Sequence, residues 1–168
     1  MAASVEGGTG MDPLVFRRVM GRFATGVTVV TGLDSDGDPF GFTANSLSSV
    51  SLHPPLVSVC VDRRADSHDP LIDSGAFAVN ILTDRQESVA RRFASPADRA
   101  GRWEGLDWRA GPHGLPVFEG VLGWIVCRVF DTVGAGDHTL LIGAVEEADG
   151  AEGSPLLYFR GAYGRVQG

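Results

Sequence analysis

The segment covering residues 43–51 concentrates side chains that can form hydrogen bonds. It contains five hydroxyl groups and one amide, and Thr43, Ala44, Asn45 and Ser46 begin it. The flanking residues have the pattern of a strand, where Val, Ile and aromatic residues are the common choice. Uncharged polar groups held on a rigid backbone suit a polar, flat ligand better than they suit a hydrophobic core. We therefore expect this segment to form one wall of a binding site.

A histidine at the start of a predicted strand is a second candidate. His138 follows Gly136-Asp137, and its approach is lined by glycine. The four histidines of the chain do not have the spacing of metal ligands, so we expect no metal site. A lone histidine at a strand end commonly makes a structural hydrogen bond. It can also contact a cofactor amide or hold charge near a reaction centre, and the residue types leave both interpretations open.

Four further segments carry charged, hydroxyl or aromatic side chains. Asp62-Arg63-Arg64 ends an apolar strand and forms either a solvated rim or a closure over a ligand. Ser67 precedes a predicted helix, whose first N–H groups suit a phosphate. Arg91-Arg92-Phe93 ends another helix, where cations are favourable in any case. The same trio also suits a diphosphate and an adenine ring. Both tyrosines lie in 155–163, where they pack or line a nucleotide groove beside Gly161.

The glycines at 134 and 136 do not form a dinucleotide fingerprint. Position 139 is Thr, and the segment precedes a strand, whereas that fingerprint requires a helix N-terminus. The chain also lacks a phosphate-binding P-loop and a nucleophile elbow. A nicotinamide cofactor must therefore bind without the usual fold.

Composition narrows the class of protein. The chain has 168 residues, a net charge of −7, 14 arginines and no lysine. An acidic chain without a basic block argues against nucleic-acid and anionic-membrane binding. No apolar run reaches the length of a membrane helix, and the start has no signal-peptide pattern. Cys60 and Cys127 lie in apolar runs and form no disulfide framework. We expect a cytoplasmic protein with a disordered tail over 1–10 and a single domain over 11–168.

The hydrophobic pattern predicts a mainly β protein with a few short helices. A helix begins at Asp12-Pro13 and ends near Gly26. Another begins near 69 and ends at 75, and a third, with a capping box between Asp84 and Glu87, reaches Phe93. Residues 95–116 are irregular. Because the strands are joined by short turns, an antiparallel barrel is favoured over a doubly wound sheet. The predicted strands are 27–31, 41–51, 56–61, 77–82, 121–130, 139–147, 156–160 and 163–166.

The order of these segments resembles the flavin reductase-like, FMN-binding split-barrel family. The resemblance covers residues 11–167 and is nearest to the short-chain NAD(P)H:flavin oxidoreductases that serve two-component flavin monooxygenases. It implies a homodimer of Greek-key split barrels with flavin in a groove beside the dimer interface. The segments that carry it are Phe16 through Thr31 (with Arg22-Phe23-Ala24-Thr25-Gly26-Val27-Thr28-Val29-Val30-Thr31), Gly41-Phe42-Thr43-Ala44-Asn45-Ser46, Pro54-Pro55-Leu56-Val57, Cys60-Val61-Asp62-Arg63, Gly136-Asp137-His138 and Tyr158 through Tyr163.

The resemblance also implies a role for each candidate residue. The isoalloxazine and ribityl contacts would come from Thr43, Ala44, Asn45 and Ser46. The continuation toward the ribityl chain and phosphate would come from Cys60, Val61, Asp62, Arg63, Ser67 and His68. The far phosphates or the adenine of FAD would contact Arg92 and Phe93. His138 would lie near the nicotinamide as the catalytic residue, and NAD(P)H would lie along Tyr158, Phe159, Arg160 and Gly161.

The function implied is an NADH-preferring flavin reductase. It would reduce FAD or FMN and supply the reduced flavin by diffusion to a partner monooxygenase. Arg92-Phe93 favours FAD, and the absence of an obvious arginine pocket for a 2′-phosphate favours NADH over NADPH. Two alternatives remain open at this point. One is a flavin-binding electron carrier without NAD(P)H turnover, and the other is a direct reductase of ferric chelates.

Overall fold

The computed structural model describes residues 10–96 and 101–166. Apart from Gly10, the predicted disordered tail over 1–10 lies outside these residues. The helices are α1 (Pro13–Met20), α2 (His68–Asp73) and α3 (Glu87–Ala94). The first strands are β1 (Thr25–Gly26), β2 (Thr28–Leu33), β3 (Pro39–Ala44), β4 (Ser48–Leu52), β5 (Pro55–Asp62) and β6 (Ala76–Ile81). The later strands are β7 (Trp108–Ala110), β8 (Pro116–Phe118), β9 (Gly123–Ala135), β10 (His138–Gly150), β11 (Leu156–Phe159) and β12 (Ala162–Arg165).

A seven-stranded antiparallel sheet organises the molecule. Its strand order is β3-β2-β6-β9-β10-β5-β4, and β1-β11-β12 and β7-β8 form two smaller sheets. The expectation of a mainly β protein with short helices is confirmed. The end strands β3 and β4 do not pair with each other in the part of the chain described, so backbone hydrogen bonds do not close this sheet into a barrel.

Strand β2 is buried on both faces and separates two hydrophobic clusters. Val29 and Val30 are both 0% exposed. Val30 packs with Val59 and Phe77, whereas Val29 packs with Phe93 and other residues of a second cluster. Side chains of successive strand residues point to opposite faces, so one strand contributes to both clusters. This arrangement fixes β3, the neighbour of β2, as a rigid edge of the sheet.

The structure corrects the predicted strand over 41–51. It is two strands, and residues 45–47 connect them. The physical reason is the sheet order, because β3 pairs with β2 at one end of the sheet while β4 pairs with β5 at the other. One straight strand cannot reach both ends, so the chain bends at the polar residues that the sequence had singled out.

Three smaller predictions are also wrong in detail. Helix α1 ends at Met20 rather than near Gly26, because β1 there pairs with β11. The third helix has Gln86 as its N-cap residue rather than a capping box from Asp84. The stretch 95–116 is not uniformly irregular, since a short helical turn (Gly101–Trp103), strand β7 and the first residue of β8 lie within it. β7 and β8 pair with each other through backbone hydrogen bonds, and the hydrophobic pattern of the sequence did not predict this pairing.

Candidate functional site

A cavity of about 410 Å³ opens between the ends of the sheet, bounded by β3, β5, α2, α3 and the start of β10. Its size is within the range that cofactor sites occupy. The structure brings ten of the predicted site residues to its walls. They are Thr43, Ala44, Asn45, Ser46, Cys60, Val61, Asp62, Ser67, Phe93 and His138.

The β3 wall presents backbone groups to the cavity. Strand β3 is an edge strand, and its hydrogen bonds to β2 use one side only. Gly41 O faces the other side, where it accepts a hydrogen bond from Arg102. Because backbone groups alternate in direction along an antiparallel strand, those of Thr43 point the same way. The Thr43 hydroxyl donates to Ala90 O at 2.6 Å, so it is the Thr43 backbone that is left for a ligand.

Arg102 contributes the buried cation of the cavity. The residue is 8% exposed and lines the cavity, and Nη1 donates to Gly41 O at 3.2 Å while Nη2 donates to Ser95 O. Its Nε is buried without a hydrogen-bond partner. An unsatisfied buried donor is costly, and a buried cation favours an anionic partner. Each Nη carries a second N–H beyond the one bonded to the backbone, and because Arg102 lines the cavity these groups suit a phosphate.

Sequence reasoning missed Arg102. It lies in the stretch that had been interpreted as irregular, and no motif marks it. The available signal was its neighbour Trp103, whose ring packs edge-on against Phe93 at a centroid distance of 5.1 Å. That contact anchors the segment beside α3 and brings Arg102 to the cavity.

The rim of the β5 wall carries an ion pair. Asp62 accepts hydrogen bonds from the backbone and side chain of Arg64, with Nη2 of Arg64 at 3.0 Å from Oδ2. The side-chain hydrogen bond from Arg64 is the main cause that lowers the pKa of Asp62 to about 2. Arg64 lines the cavity, whereas the predicted Arg63 has its guanidinium directly against Gly134 at the end of β9.

His138 stands at the first position of β10, opposite Asp62 in the ladder with β5. Its Nδ1 lies 2.7 Å from Oδ1 of Asp137, and its side chain is 42% exposed. The hydrogen bond from His138 lowers the pKa of Asp137, and Nδ1 is occupied by this carboxylate. Nε2 is then the nitrogen left to face a ligand.

Two predicted residues bind protein groups instead of lining the cavity. His68 connects α2 to β10, with Nε2 at 2.9 Å from the Thr139 hydroxyl and Nδ1 at 2.7 Å from Asp69. Arg92 donates to Glu104 O at 2.8 Å and to Arg102 O at 3.3 Å. Arg92 thus supports the segment that carries Arg102, and it is Arg102 rather than Arg92 that lines this wall of the cavity.

A second groove, of about 830 Å³, continues from the cavity and is called the α1 groove below. It shares Asn45 and Ser46 with the cavity. Its other walls come from α1 and the residues after it, and from Tyr158 and Gly161. Tyr158 packs edge-on against Tyr163 with centroids 5.3 Å apart, while Phe159 and Arg160 are exposed at the adjoining turn. The predicted nicotinamide strand therefore meets the predicted flavin wall at residues 45 and 46.

In residues 10–96 and 101–166, no group of three or more His, Cys, Asp or Glu side chains is arranged to hold a metal ion. None of the helices in these two ranges has the length and apolarity needed to cross a membrane.

Residues 20–167 match the family described as Flavin reductase like domain. The chain belongs to this family. The match covers nearly the whole chain, including every residue that lines the cavity and the segment that carries both tyrosines.

Individual family members agree with this assignment. The chain is 43% identical to a flavin reductase of Pseudomonas putida over 92% of its own length and 90% of the relative's. It is 39% identical to the flavin-dependent monooxygenase reductase subunit HsaB of Mycobacterium tuberculosis, covering 94% and 84%. The crystal structure of the NADH:FAD oxidoreductase SgcE6 of Streptomyces globisporus with NAD and FAD fragments superposes with a TM-score of 0.87. That match is 38% identical and covers 93% of each chain.

Some family members are longer. The chain spans 48% and 65% of the length of two relatives from Rhizobium meliloti and 47% of one from Acinetobacter baylyi.

Proposed function

We propose that this protein is a flavin reductase that transfers a hydride from NADH to FAD and releases reduced flavin to a partner monooxygenase. The observation that carries the proposal is the continuity of the cavity with the α1 groove at Asn45 and Ser46. Two flat ligands can meet there, which hydride transfer requires. The family and the names of its members support flavin reduction as the reaction.

The residues of the cavity fit a flavin in chemical terms. Bound flavin supplies the redox chemistry, and the protein supplies placement and electrostatics. The outward backbone groups of β3 can bind the polar edge of the ring system. Arg102 lines the cavity, and its guanidinium offers Nη N–H groups to a phosphate. Neither a nucleophile nor a general base is needed for hydride transfer, in keeping with walls made of backbone groups and hydroxyls.

His138 is proposed to orient the nicotinamide. Its Nδ1 is held by Asp137, so Nε2 can bind the carboxamide of the ring at the edge of the cavity. A group that only orients the ring affects NADH binding or the transfer rate and leaves flavin binding intact. Substitution of His138 should therefore leave the Kd for flavin unchanged, whereas substitution of residues in the proposed flavin wall should raise it.

The choice of FAD and NADH is part of the proposal. The name of SgcE6, an NADH:FAD oxidoreductase, supports both cofactors, and another relative is named a flavin reductase (NADH). In this chain the structural argument for FAD now depends on Arg102 and Phe93, because Arg92 does not line the cavity. FMN and NADPH serve as the comparison ligands in the experiment below.

We also propose a homodimer of Greek-key split barrels. Helix α1 has no buried residue, and Leu14, Phe16 and Met20 are 73%, 55% and 50% exposed. Such an apolar patch is typical of a surface that a second subunit covers. The Ser46 hydroxyl binds the backbone of Cys60, which draws the connection after β3 toward β5 and supports a curled sheet. The monooxygenase partner is inferred from relatives such as HsaB.

The test is anaerobic stopped-flow mixing of the protein with NADH or NADPH in the presence of FAD or FMN. We expect NADH oxidation that depends on added flavin and is fastest with NADH and FAD. His138→Ala should raise the KM for NADH or lower kcat without changing the Kd for flavin. If NADH is oxidised no faster with flavin than without, the proposal fails. Flavin retained tightly without NADH oxidation would indicate an electron carrier, and flavin-independent reduction of a ferric chelate would indicate the second alternative.

A further inference from the structure

Four arginines surround a cleft of about 510 Å³ beside the end of α1. They are Arg17, Arg18, Arg22 and Arg160, and Gly21 and Gly161 complete the lining of this arginine cleft. Within the described ranges, the arginine–carboxylate ion pairs involve Arg64, Arg91, Arg109 and Arg128, so the four arginines of the cleft have no acidic partner. This concentration of positive charge occurs on a chain whose net charge is −7.

The cleft is held by backbone contacts. The N–H of Arg160 donates to Gly21 O at 2.7 Å. A Cβ at position 21 would lie only 3.2 Å from Arg17 O and 3.7 Å from the Cα of Arg160, so glycine permits this close approach. The end of α1 is therefore fixed against the turn between β11 and β12. The arginines near the end of α1 and Arg160 are thereby held next to each other.

Arg160 occupies a backbone conformation that disfavours arginine. Its φ is 51° and that of Gly161 is 79°, and the pair forms the two-residue turn between β11 and β12. Such turns strongly prefer Asn-Gly. A residue with a large side chain in the left-handed region carries strain, which persists most often at functional sites. The guanidinium of Arg160 lies over the Phe159 ring, with Cζ 5.0 Å from the centroid.

The helix dipole does not account for the cluster. Cations near a helix C-terminus are favourable, and this covers Arg17 and Arg18 in the last turn of α1. The dipole does not account for Arg22, which lies beyond the end of α1, or for Arg160, which lies in the turn between β11 and β12. An anionic ligand accounts for all four arginines at once.

The position of the cleft indicates which anion it binds. It shares Arg17, Gly21 and Gly161 with the α1 groove, and the α1 groove shares Asn45 and Ser46 with the cavity. The order is therefore flavin cavity, α1 groove, arginine cleft. A dinucleotide whose nicotinamide lies at the junction of cavity and groove can therefore reach the cleft with its phosphates. Arg102 is the cation that we propose for the phosphates of the flavin.

We infer that the arginine cleft binds the phosphate groups of the reduced nicotinamide dinucleotide. This inference rests on the proposed function, because it assumes that the nicotinamide binds in the α1 groove. Two kinds of phosphate group can occupy the cleft. One is the diphosphate that NADH and NADPH share, and the other is the 2′-phosphate that only NADPH carries. The variants below distinguish them.

The central variant is Arg160→Asn, which removes the guanidinium and places the preferred residue in the turn. We expect its melting temperature to equal or exceed that of the unaltered protein, while the KM for NADH rises about 10-fold, as loss of one charge-assisted hydrogen bond implies. Arg22→Gln should act in the same direction. Arg85→Gln, which removes an exposed arginine elsewhere, should leave the KM for NADH unchanged. The KM for FAD should not move in any of the three.

Two further substrates identify the phosphate. Dihydronicotinamide riboside carries no phosphate, so its KM should be the same for Arg160→Asn and the unaltered protein. Equal increases in KM for NADH and NADPH would assign the cleft to the diphosphate, and an increase for NADPH alone would assign it to the 2′-phosphate. Calorimetric titration with NAD⁺ and NADP⁺ gives the same comparison without turnover.

The inference and the proposed function can fail separately. If the unaltered protein reduces flavin with NADH but the arginine variants keep its KM and the Kd for both NAD⁺ and NADP⁺, the inference is overturned and the function stands. The same holds if these variants lose only the delivery of flavin to an oxygenase, since the cleft would then bind an acidic protein surface. If the unaltered protein does not oxidise NADH at all, the function fails, and the calorimetric comparison alone decides whether the cleft binds dinucleotide phosphate.

Discussion

The Ser46 hydroxyl takes the place of a strand residue opposite Cys60. In the β4–β5 ladder Ser48 pairs with Ser58, so position 46 falls opposite position 60. The chain has already turned away from β5 there, and Ser46 Oγ accepts the Cys60 N–H at 2.9 Å while lying 3.4 Å from Cys60 O. One hydroxyl thus satisfies the backbone of β5 at the junction between the cavity and the α1 groove.

Ser46→Ala should destabilise this junction. The Cys60 N–H loses its acceptor, which we expect to cost about 1 kcal/mol in the free energy of unfolding. Urea denaturation measures that loss, and fluorescence titration with FAD should show weaker binding. Ser48→Ala is the matched control, since Ser48 is exposed and its hydroxyl has only a distant contact with Ser49 O. Equal stability and flavin affinity for Ser46→Ala and Ser48→Ala would contradict the role given to Ser46.

Arg102→Met should weaken flavin binding by a factor of about 10 or more, because a charge-assisted hydrogen bond to phosphate is lost. The Kd for FAD, measured by quenching of flavin fluorescence, is the readout. Arg102→Lys keeps the charge and loses the planar guanidinium, so its Kd should be intermediate. Arg109→Met serves as the control, since Arg109 lies over the Trp124 ring, away from the cavity. Unchanged FAD affinity in a folded Arg102→Met protein would exclude the phosphate role.

The two cysteines should differ in reactivity. Cys60 is half-buried and lines the cavity, whereas Cys127 is fully buried, and this burial raises the pKa of its thiol to about 12. Iodoacetamide should therefore alkylate Cys60 alone in the folded protein, since only a thiolate reacts readily. Saturating FAD should slow that reaction. Mass spectrometry of the peptides identifies the site, and Cys60→Ala should abolish labelling. Rapid labelling of Cys60 that FAD does not slow would place the flavin elsewhere.

Stability should depend on Asp62 at low pH. Its folded pKa is lowered to about 2 by the hydrogen bond from Arg64, below the ordinary carboxyl value of 3.8. A lowered carboxyl pKa contributes stability that is complete above the unfolded value and is lost as the pH falls toward the folded value. The difference in urea midpoint between the unaltered protein and Asp62→Asn should be constant from pH 7 to about 5 and shrink between about 4 and 2. The contribution is small because the pair is exposed.

Asp36→Asn is the control for this pH series. Asp36 lies in an exposed turn between β2 and β3, so its substitution should leave the urea midpoint nearly unchanged at every pH. A difference for Asp62→Asn that grew as the pH fell would contradict the sign of the effect.

A charge on α1 should prevent the proposed dimer. Phe16→Asp places a carboxylate on the exposed apolar face of a helix that has no buried residue. Light scattering after size exclusion should report the mass of a dimer for the unaltered protein and that of a monomer for Phe16→Asp. Val166→Asp alters another exposed apolar residue and should remain dimeric. A monomeric unaltered protein, or a dimeric Phe16→Asp variant, would remove α1 from the interface.

The sequence by itself determined the fold class and most of the residues that line the cavity. Hydrophobic alternation and short turns are local properties, so they predicted a mainly β protein correctly. The polar run that begins at Thr43 and the His138 motif were visible because strands seldom carry such residues. Ten of the predicted residues line one cavity.

Only the tertiary structure decided which arginine side chains line the cavity. Arg63 and Arg92 bear the same charge as Arg64 and Arg102, yet the first two contact protein groups and the second two line the cavity. Arg160 meets the arginines of α1 because a turn and a helix end share a hydrogen bond across 139 positions of the chain, from 21 to 160. Local patterns specify residue type and periodicity. The direction of a long, flexible side chain depends on packing between segments that are distant in sequence, and no local pattern records that packing.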